Sequence, residues 1–222
     1  GPTYKFIYGT FRETFVRGNY WFNSHKQNPI IFDCGANIGM ATLYWKWLYP
    51  HARICSFEPN PEAAKYLRRN VSKNNLSDVT VFELALGPKA SHKKFYVHQL
   101  ELGSLKASFY GGTIFSGRTK KISVKIDRLS KFIGKKVVDL LKLDIEASEY
   151  DVIDELSKTD KLKQIKEILM ECHIHIPHTK LQLGKLLHTL EDSGFEYQLN
   201  CNCVPLYQKS HYQDVMVYAY RK

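Results

Sequence analysis

Short apolar runs alternate with longer stretches of helical periodicity along most of the chain, and this alternation predicts a parallel sheet wrapped by helices. The strand-like runs span residues 29–32, 53–57, 79–84, 138–143 and 165–172. MATLYWKWLYP, between the first two, reads as a helix that Pro50 stops. NPEAAKYLRRNVSKNN follows the second run, with Asn60 as N-cap and Pro61 at the first helical position, where a missing N–H does no harm. EASEYDVIDELSKTD and HTKLQLGKLLHTLEDSG supply two more helices, the second capped by Gly194. Past Gly194 the rhythm changes. FEYQL and DVMVYAY are strands joined only by a polar loop over 200–213, and they predict an antiparallel hairpin at one edge of the sheet.

Two segments stand outside this rhythm. Residues 3–28, with the amphipathic FRETFVRGNYWF, predict a helical cap that either closes over a ligand or docks on the sheet. Residues 88–126 predict an insertion, in which KKFYVHQ and KKISVKI read as strands. The glycine-rich LELGSLKASFYGGTIFSGRT between them has the length of a lid or a disordered loop. With 222 residues, the chain suits one domain over 3–222. Gly1 and Pro2 resemble a scar left by tag removal, which fits excision from a longer, multidomain chain.

The first strand runs into IIFDCGANIG, residues 30–39, a glycine turn that opens a helix. Such a turn makes a pocket at the carboxyl end of a sheet, where bare backbone and free N–H groups meet a ligand. A phosphate-cradling loop needs Gly-Lys-Ser/Thr, but Met40 and Ala41 follow Gly39. A dinucleotide loop needs three glycines, and this stretch has Gly35 and Gly39 alone. Asp33 would repel a pyrophosphate and attract a cation. Glu58, at the end of the next strand, can accept hydrogen bonds from a ribose diol. A ribose beside a cation describes S-adenosyl-L-methionine.

IIFDCGANIG, FEPNPEAAKYLRRNVSKNN, VFELALG, LLKLDIEASEYDVI and ILMECHIH, in that order, resemble the FkbM-like S-adenosylmethionine-dependent methyltransferases over about residues 29–176. The resemblance implies a class I, Rossmann-like α/β fold, with which the closing hairpin agrees. It also implies that Asp33, Gly35, Ala36, Asn37 and Gly39 hold the methionine end of the cofactor. Glu58, with Pro59 beside it, would hold the ribose. Ala85, Leu86 and Gly87 would lie by the adenine, with Glu83 a weaker adenine contact. The family has glycine after the acidic pair that follows the fourth strand. Ala147 stands there, so the turn is expected to avoid positive φ.

Chemistry is expected where the fourth and fifth strands end. Alternation puts Lys142, Asp144 and Glu146 on one face of KLDIE, and Glu171, His173 and His175 on one face of ECHIH. A polar face on central strands is costly unless used or paired. His173 is read as the general base that takes a hydroxyl proton, with Glu171 orienting it. Asp144 sits by the cofactor and is the rival base, with Glu146 beside it. Glu149 reads as a first-turn acid favoured by the helix dipole. These acids and His173 could hold Mg²⁺, but no paired-Asp signature follows the fourth strand, and no metal is expected.

Net charge is +10, yet the lysine pairs 93–94, 120–121 and 135–136 never grow into a basic run, so a nucleic-acid partner is not favoured. No window reaches the ~18 apolar residues a membrane span needs, and no signal-peptide pattern is visible. Cys34, Cys55 and Cys172 lie in apolar runs, and Cys201-Asn202-Cys203 lacks partners for a zinc site. A reduced, cytoplasmic setting is the expectation.

The chain has no Pro-Pro turn of the kind carried by base-amino methyltransferases. The expected acceptor is a hydroxyl of a sugar, glycan or glycosylated metabolite, with Tyr8, Tyr20, Trp21, Tyr110 and Phe115 as stacking surfaces. RNA ribose 2′-hydroxyl transfer, transfer to another natural product, and a non-catalytic binding module remain alternatives. A nicotinamide-dependent dehydrogenase would want the third glycine and has no use for the hairpin.

Overall fold

The computed structural model describes residues 2–98, 107–108, 119–175, 180–201 and 213–221. Tyr110, Phe115, Cys203 and most of the two long loops lie outside them. In chain order the elements are α1 (Tyr4–Phe11), β1 (Ile30–Cys34), α2 (Met40–Leu48), β2 (Arg53–Phe57), α3 (Pro61–Lys73), β3 (Val79–Phe82), β4 (Ala85–Leu86), β5 (Ser91–His98), β6 (Ala107–Ser108), β7 (Thr119–Asp127), α4 (Leu129–Ile133), β8 (Val138–Leu143), α5 (Glu149–Lys158), β9 (Ile165–Ile174), α6 (Leu183–Asp192), β10 (Glu196–Cys201) and β11 (Gln213–Tyr220). A π-helical turn, Arg12–Val16, continues α1 without a break.

The main sheet runs β10-β11-β9-β8-β1-β2-β3. Strands β3, β2, β1, β8 and β9 are parallel, and β11 is antiparallel to both of its neighbours. β8 is buried at every position, as expected of a strand covered on both faces. Order reverses between β1 and β8, so the crevice forms beyond the carboxyl ends of those two strands. The hairpin lies at the predicted edge with one refinement. Its later strand, β11, is interior, and β10 is outermost.

Local chemistry explains the helix starts and stops. Asn60 accepts a hydrogen bond from Glu62 N (3.1 Å) ahead of Pro61, which fixes where α3 begins. Gly194, at φ +79°, lets the chain leave α6 as Phe195 N bonds back to Leu190 O (3.0 Å). The insertion folds as its own sheet, β4-β7-β5-β6, around a small core of Ala85, Phe95, Val124 and Ile126. The N-terminal segment docks on α2: Phe15 meets Tyr44 edge-on (5.1 Å), and Trp45 Nε1 donates to Tyr20 O (2.9 Å). That docking brings it to the mouth of the crevice.

Candidate active site

The β1–α2 loop is shaped by close approaches. Gly35 has φ +80°, and a Cβ on it would lie 1.8 Å from Asp144 O. Gly39 has φ +90°, and its Cβ would lie 2.5 Å from Leu67 Cδ1. Gly35 is thus demanded by packing against backbone, and Gly39 chiefly by its left-handed conformation. Asn37, at φ +49°, is a residue type that tolerates the left-handed region, and its Oδ1 accepts from Ile38 N (2.8 Å).

Glu58 ties this loop to the next. Its Oε2 accepts from Asn37 N and its Oε1 from Asn60 N, each at 2.8 Å. Burial pushes its carboxyl up to about 7 against the opposing pull of those two N–H groups. Each oxygen keeps spare accepting capacity for a diol.

A polar row crosses the sheet beneath the loop. Register aligns Ser56, Asp33 and Lys142 on β2, β1 and β8. Asp33 is 0% exposed. It accepts from Thr42 Oγ1 (2.7 Å) and faces Lys142 Nζ at 3.4 Å. Lys142 Nζ also donates to Gly35 O (2.7 Å) and sits 3.5 Å from Asp144 Oδ2. Burial works against this ammonium, but Asp144 and Asp33 outweigh it and lift its pKa to about 12. Tyr20 OH donates to Asp144 Oδ2 (3.2 Å), with Lys142 Nζ 5.3 Å above the Tyr20 ring. The cation that Asp33 attracts is therefore Lys142, and Asp33 lies behind the crevice wall.

A second cluster surrounds His173, which is 4% exposed at the end of β9. Its Nδ1 lies 3.1 Å from Glu149 Oε1. Its Nε2 lies 3.7 Å from Glu146 Oε2 and 3.9 Å from both Asp144 Oδ1 and Asp214 Oδ1. Asp214 arrives there because β11 pairs it directly opposite His173. Burial pulls the imidazole down, but Glu149, Glu146 and Asp144 overcome that and hold it well above its ordinary range. Burial pushes Glu146 up to about 8 despite His173, and raises Glu171 as well. Asp144, Glu171 and His173 each bring one potential ligand atom within 4.8 Å of the others. That donor set is compatible with a divalent cation.

Two expectations need correction here. The partner of His173 Nδ1 is Glu149, not Glu171, because the first turn of α5 points its acid back under β9. Fully buried, Glu149 also accepts from Ile145 N (2.9 Å) and Ala147 N (3.3 Å). Those bonds hold the turn so firmly that Ala147 does adopt positive φ, +76°, beside Glu146 at +54°. Ala147 thus takes a backbone conformation that favours glycine.

A cleft of about 370 Å³ opens over the Gly35–Gly39 loop, lined by Thr10, Glu13, Thr14, Tyr20, Asn37 and Asp144 among others. Ala36 lines it too, whereas Pro59 is half-buried beyond Glu58. Ala85 and Leu86 are buried in β4, pairing with β7, and Gly87 N bonds Asp127 O (3.1 Å). Glu83 is exposed and paired with Arg68 (2.7 Å). His175 is exposed at φ +59°. Of the described aromatic candidates only Tyr20 lines the cleft, and its hydroxyl is occupied by Asp144. Sequence reasoning passed over Glu13, Thr14, Thr42 and Asp214, and it gave Lys142 no role. Register would have flagged Lys142 beside Asp33, but nothing local marks the others.

A parallel sheet in this order, closed by an antiparallel hairpin and carrying a glycine loop and two strand-end acids above its crevice, defines a Rossmann-like class I methyltransferase domain. The sequence profile of the Methyltransferase FkbM domain matches residues 33–197, and the chain belongs to that family. It is 30% identical over 229 aligned residues to Methyltransferase sdnD of Sordaria araneosa, covering 88% of this chain and 78% of that protein. Methyltransferase 1 of Beauveria bassiana is 31% identical over 159 residues, 64% of each chain. 2-O-methyltransferase NoeI of Sinorhizobium fredii is 28% identical over 141 residues, 58% of this chain and 57% of that one. This chain thus spans less than two thirds of the length of two of these relatives. Among solved structures, the FkbM methyltransferase of Methylobacillus flagellatus superposes with a TM-score of 0.55 at 15% identity, over 95% of this chain and 48% of that one. Among the described residues, no helix is long and apolar enough to cross a membrane.

Proposed function

We propose that this domain is an S-adenosylmethionine-dependent O-methyltransferase acting on a hydroxyl of a sugar, glycan or glycosylated small molecule. One observation carries the acceptor class: Asp144, Glu146, Glu149, Glu171 and Asp214 gather around the single imidazole of His173 beside the cleft. Closely spaced carboxyl groups offer hydrogen-bond partners to a neutral polyhydroxyl compound and little to hold a phosphate backbone. O-directed transfer is also what the name of the NoeI relative describes.

The residues fit the cofactor. Glu58 keeps accepting capacity for a ribose diol, and the acidic cleft suits a sulfonium cation. The Gly35–Gly39 loop and Asn37 would lie along the methionine end. When bound, the cofactor supplies an activated methyl group, and the protein's main task is alignment, worth about 7–11 kcal/mol. The acceptor's hydroxyl proton must leave as the new C–O bond forms. Asp144 lines the cleft and also faces the His173 cluster, which suits it to take that proton. His173 is held protonated by its carboxylate neighbours and balances their charge, so the proton-accepting role passes from His173 to Asp144, the rival base of the sequence reading.

The test is calorimetric titration of S-adenosylhomocysteine into the wild type and Glu58→Ala, with NADH as control, followed by labelled methyl transfer to a panel of glycosides and RNA. Binding that Glu58→Ala weakens about tenfold or more, with transfer to a glycoside hydroxyl, supports the reading. Binding of NADH instead, or transfer to RNA alone, overturns it.

A further inference from the structure

The π-helical turn Arg12–Val16 forms one wall of the cleft, and two consecutive residues on it, Glu13 and Thr14, face the loop that begins at Gly35. π-helical turns are rare and are found often at functional sites. Thr14 is 1% exposed yet lines the cleft. Among the described residues, neither the Glu13 carboxylate nor the Thr14 hydroxyl has a hydrogen-bond or ion-pair partner.

Among the described residues, the two aspartates at the cleft floor each have a cation. Asp33 is sealed behind the wall with Thr42 and Lys142. Asp144 shares Lys142 and accepts from Tyr20. Among the described residues lining the cleft, Glu13 presents a carboxylate with no hydrogen-bond or ion-pair partner. The cations that act on it, Arg17 and Arg12, are exposed on the same stretch of chain. Burial raises the Glu13 carboxyl, with Asp144 adding to the effect and Arg17 and Arg12 opposing it.

We propose that Glu13 receives the α-ammonium group at the methionine end of the cofactor, with the Thr14 hydroxyl beside it donating to the α-carboxylate. The N-terminal cap then reads the amino-acid end of the ligand, a task the sequence assigned to Asp33. This inference rests on the cofactor reading above.

The test compares two ligands that share an adenosine thioether and differ in the amino-acid end: S-adenosylhomocysteine and 5′-methylthioadenosine. Each is titrated into the wild type, Glu13→Gln and Thr14→Val. Glu13→Gln is expected to weaken S-adenosylhomocysteine about tenfold or more, the size of one charge-assisted hydrogen bond, while methylthioadenosine changes by less than about twofold. Thr14→Val is expected to show a smaller loss for the same ligand only. Equal losses for both ligands would mean that the wall has merely deformed, and no loss for S-adenosylhomocysteine would place the ammonium elsewhere; either overturns the assignment. Failure of the wild type to bind both ligands is a different result, which removes the cofactor reading itself.

Discussion

Glu149 Oε1 stands 3.1 Å from His173 Nδ1, joining the first turn of α5 to the end of β9 inside a fully buried pocket. The same oxygen holds two backbone N–H groups of the β8–α5 turn. One side chain thus sets both the orientation of the imidazole and the path of the loop that carries Asp144 and Glu146.

Glu149→Ala is expected to cost about 3–5 kcal/mol, since it removes the carboxylate nearest a buried cationic imidazole and leaves two N–H groups without their acceptor. Glu149→Gln keeps one acceptor oxygen and should cost less. Urea denaturation measures both, and a loss below about 1 kcal/mol for the alanine variant would mean that this contact supports nothing.

Ala147→Gly is expected to leave stability unchanged or raise it by up to about 1 kcal/mol. An L-residue in the left-handed region costs roughly 1–2 kcal/mol, and glycine's extra unfolded-state freedom takes back about 0.5–1. A clear drop in melting temperature would contradict the φ of +76° at this position.

Asp144→Asn should reduce turnover by about 10²–10⁴, the range of a lost general base, while S-adenosylhomocysteine still binds. The amide keeps an oxygen for Tyr20 OH, so the floor of the cleft should hold its shape. Single-turnover methyl transfer separates the two effects. Retained turnover would return the proton-accepting role to His173.

Stability of the free protein is expected to fall as pH rises. Burial lifts Glu58 from 4.5 to about 7 and Glu146 from 4.5 to about 8, so the folded chain binds more protons than the unfolded chain between those values. Unfolding free energy then declines through that window. His173 acts in the same sense: although burial opposes it, its raised pKa contributes stability that is lost as pH climbs through the folded value. Melting curves between about pH 5 and pH 8 should show the decline, and Glu58→Gln or Glu146→Gln should flatten part of it. A rising curve would contradict the burial of these carboxyls.

Much of the architecture was legible because strand and helix periods are local signals. β1, β2, β3, β8 and β9 fall on the five apolar runs, and Asn60-Pro61 marks the start of α3. The strand-end face of Lys142, Asp144 and Glu146 was visible for the same reason, as alternation needs no tertiary information. What stayed hidden depends on partners far apart in sequence. Nothing near Asp33 shows that Lys142, on a strand more than a hundred residues later, takes up its charge. Glu149 looks like any acid in a first helical turn until β9 is laid across it. The φ of Ala147 was misjudged because residue identity was weighed without the Glu149 bonds that force the turn.

β11 lies between β9 and β10, so the last of this sheet's strands to be made fills an interior position. Until residues 213–220 are made, β9 and β10 each present a bare row of backbone donors and acceptors that another chain could pair with. Asp214 reaches His173 only with that strand. The cluster around His173 is therefore the last part of the sheet to be assembled, and slow delivery of this one segment would expose the nascent protein to misassociation while that cluster is still incomplete.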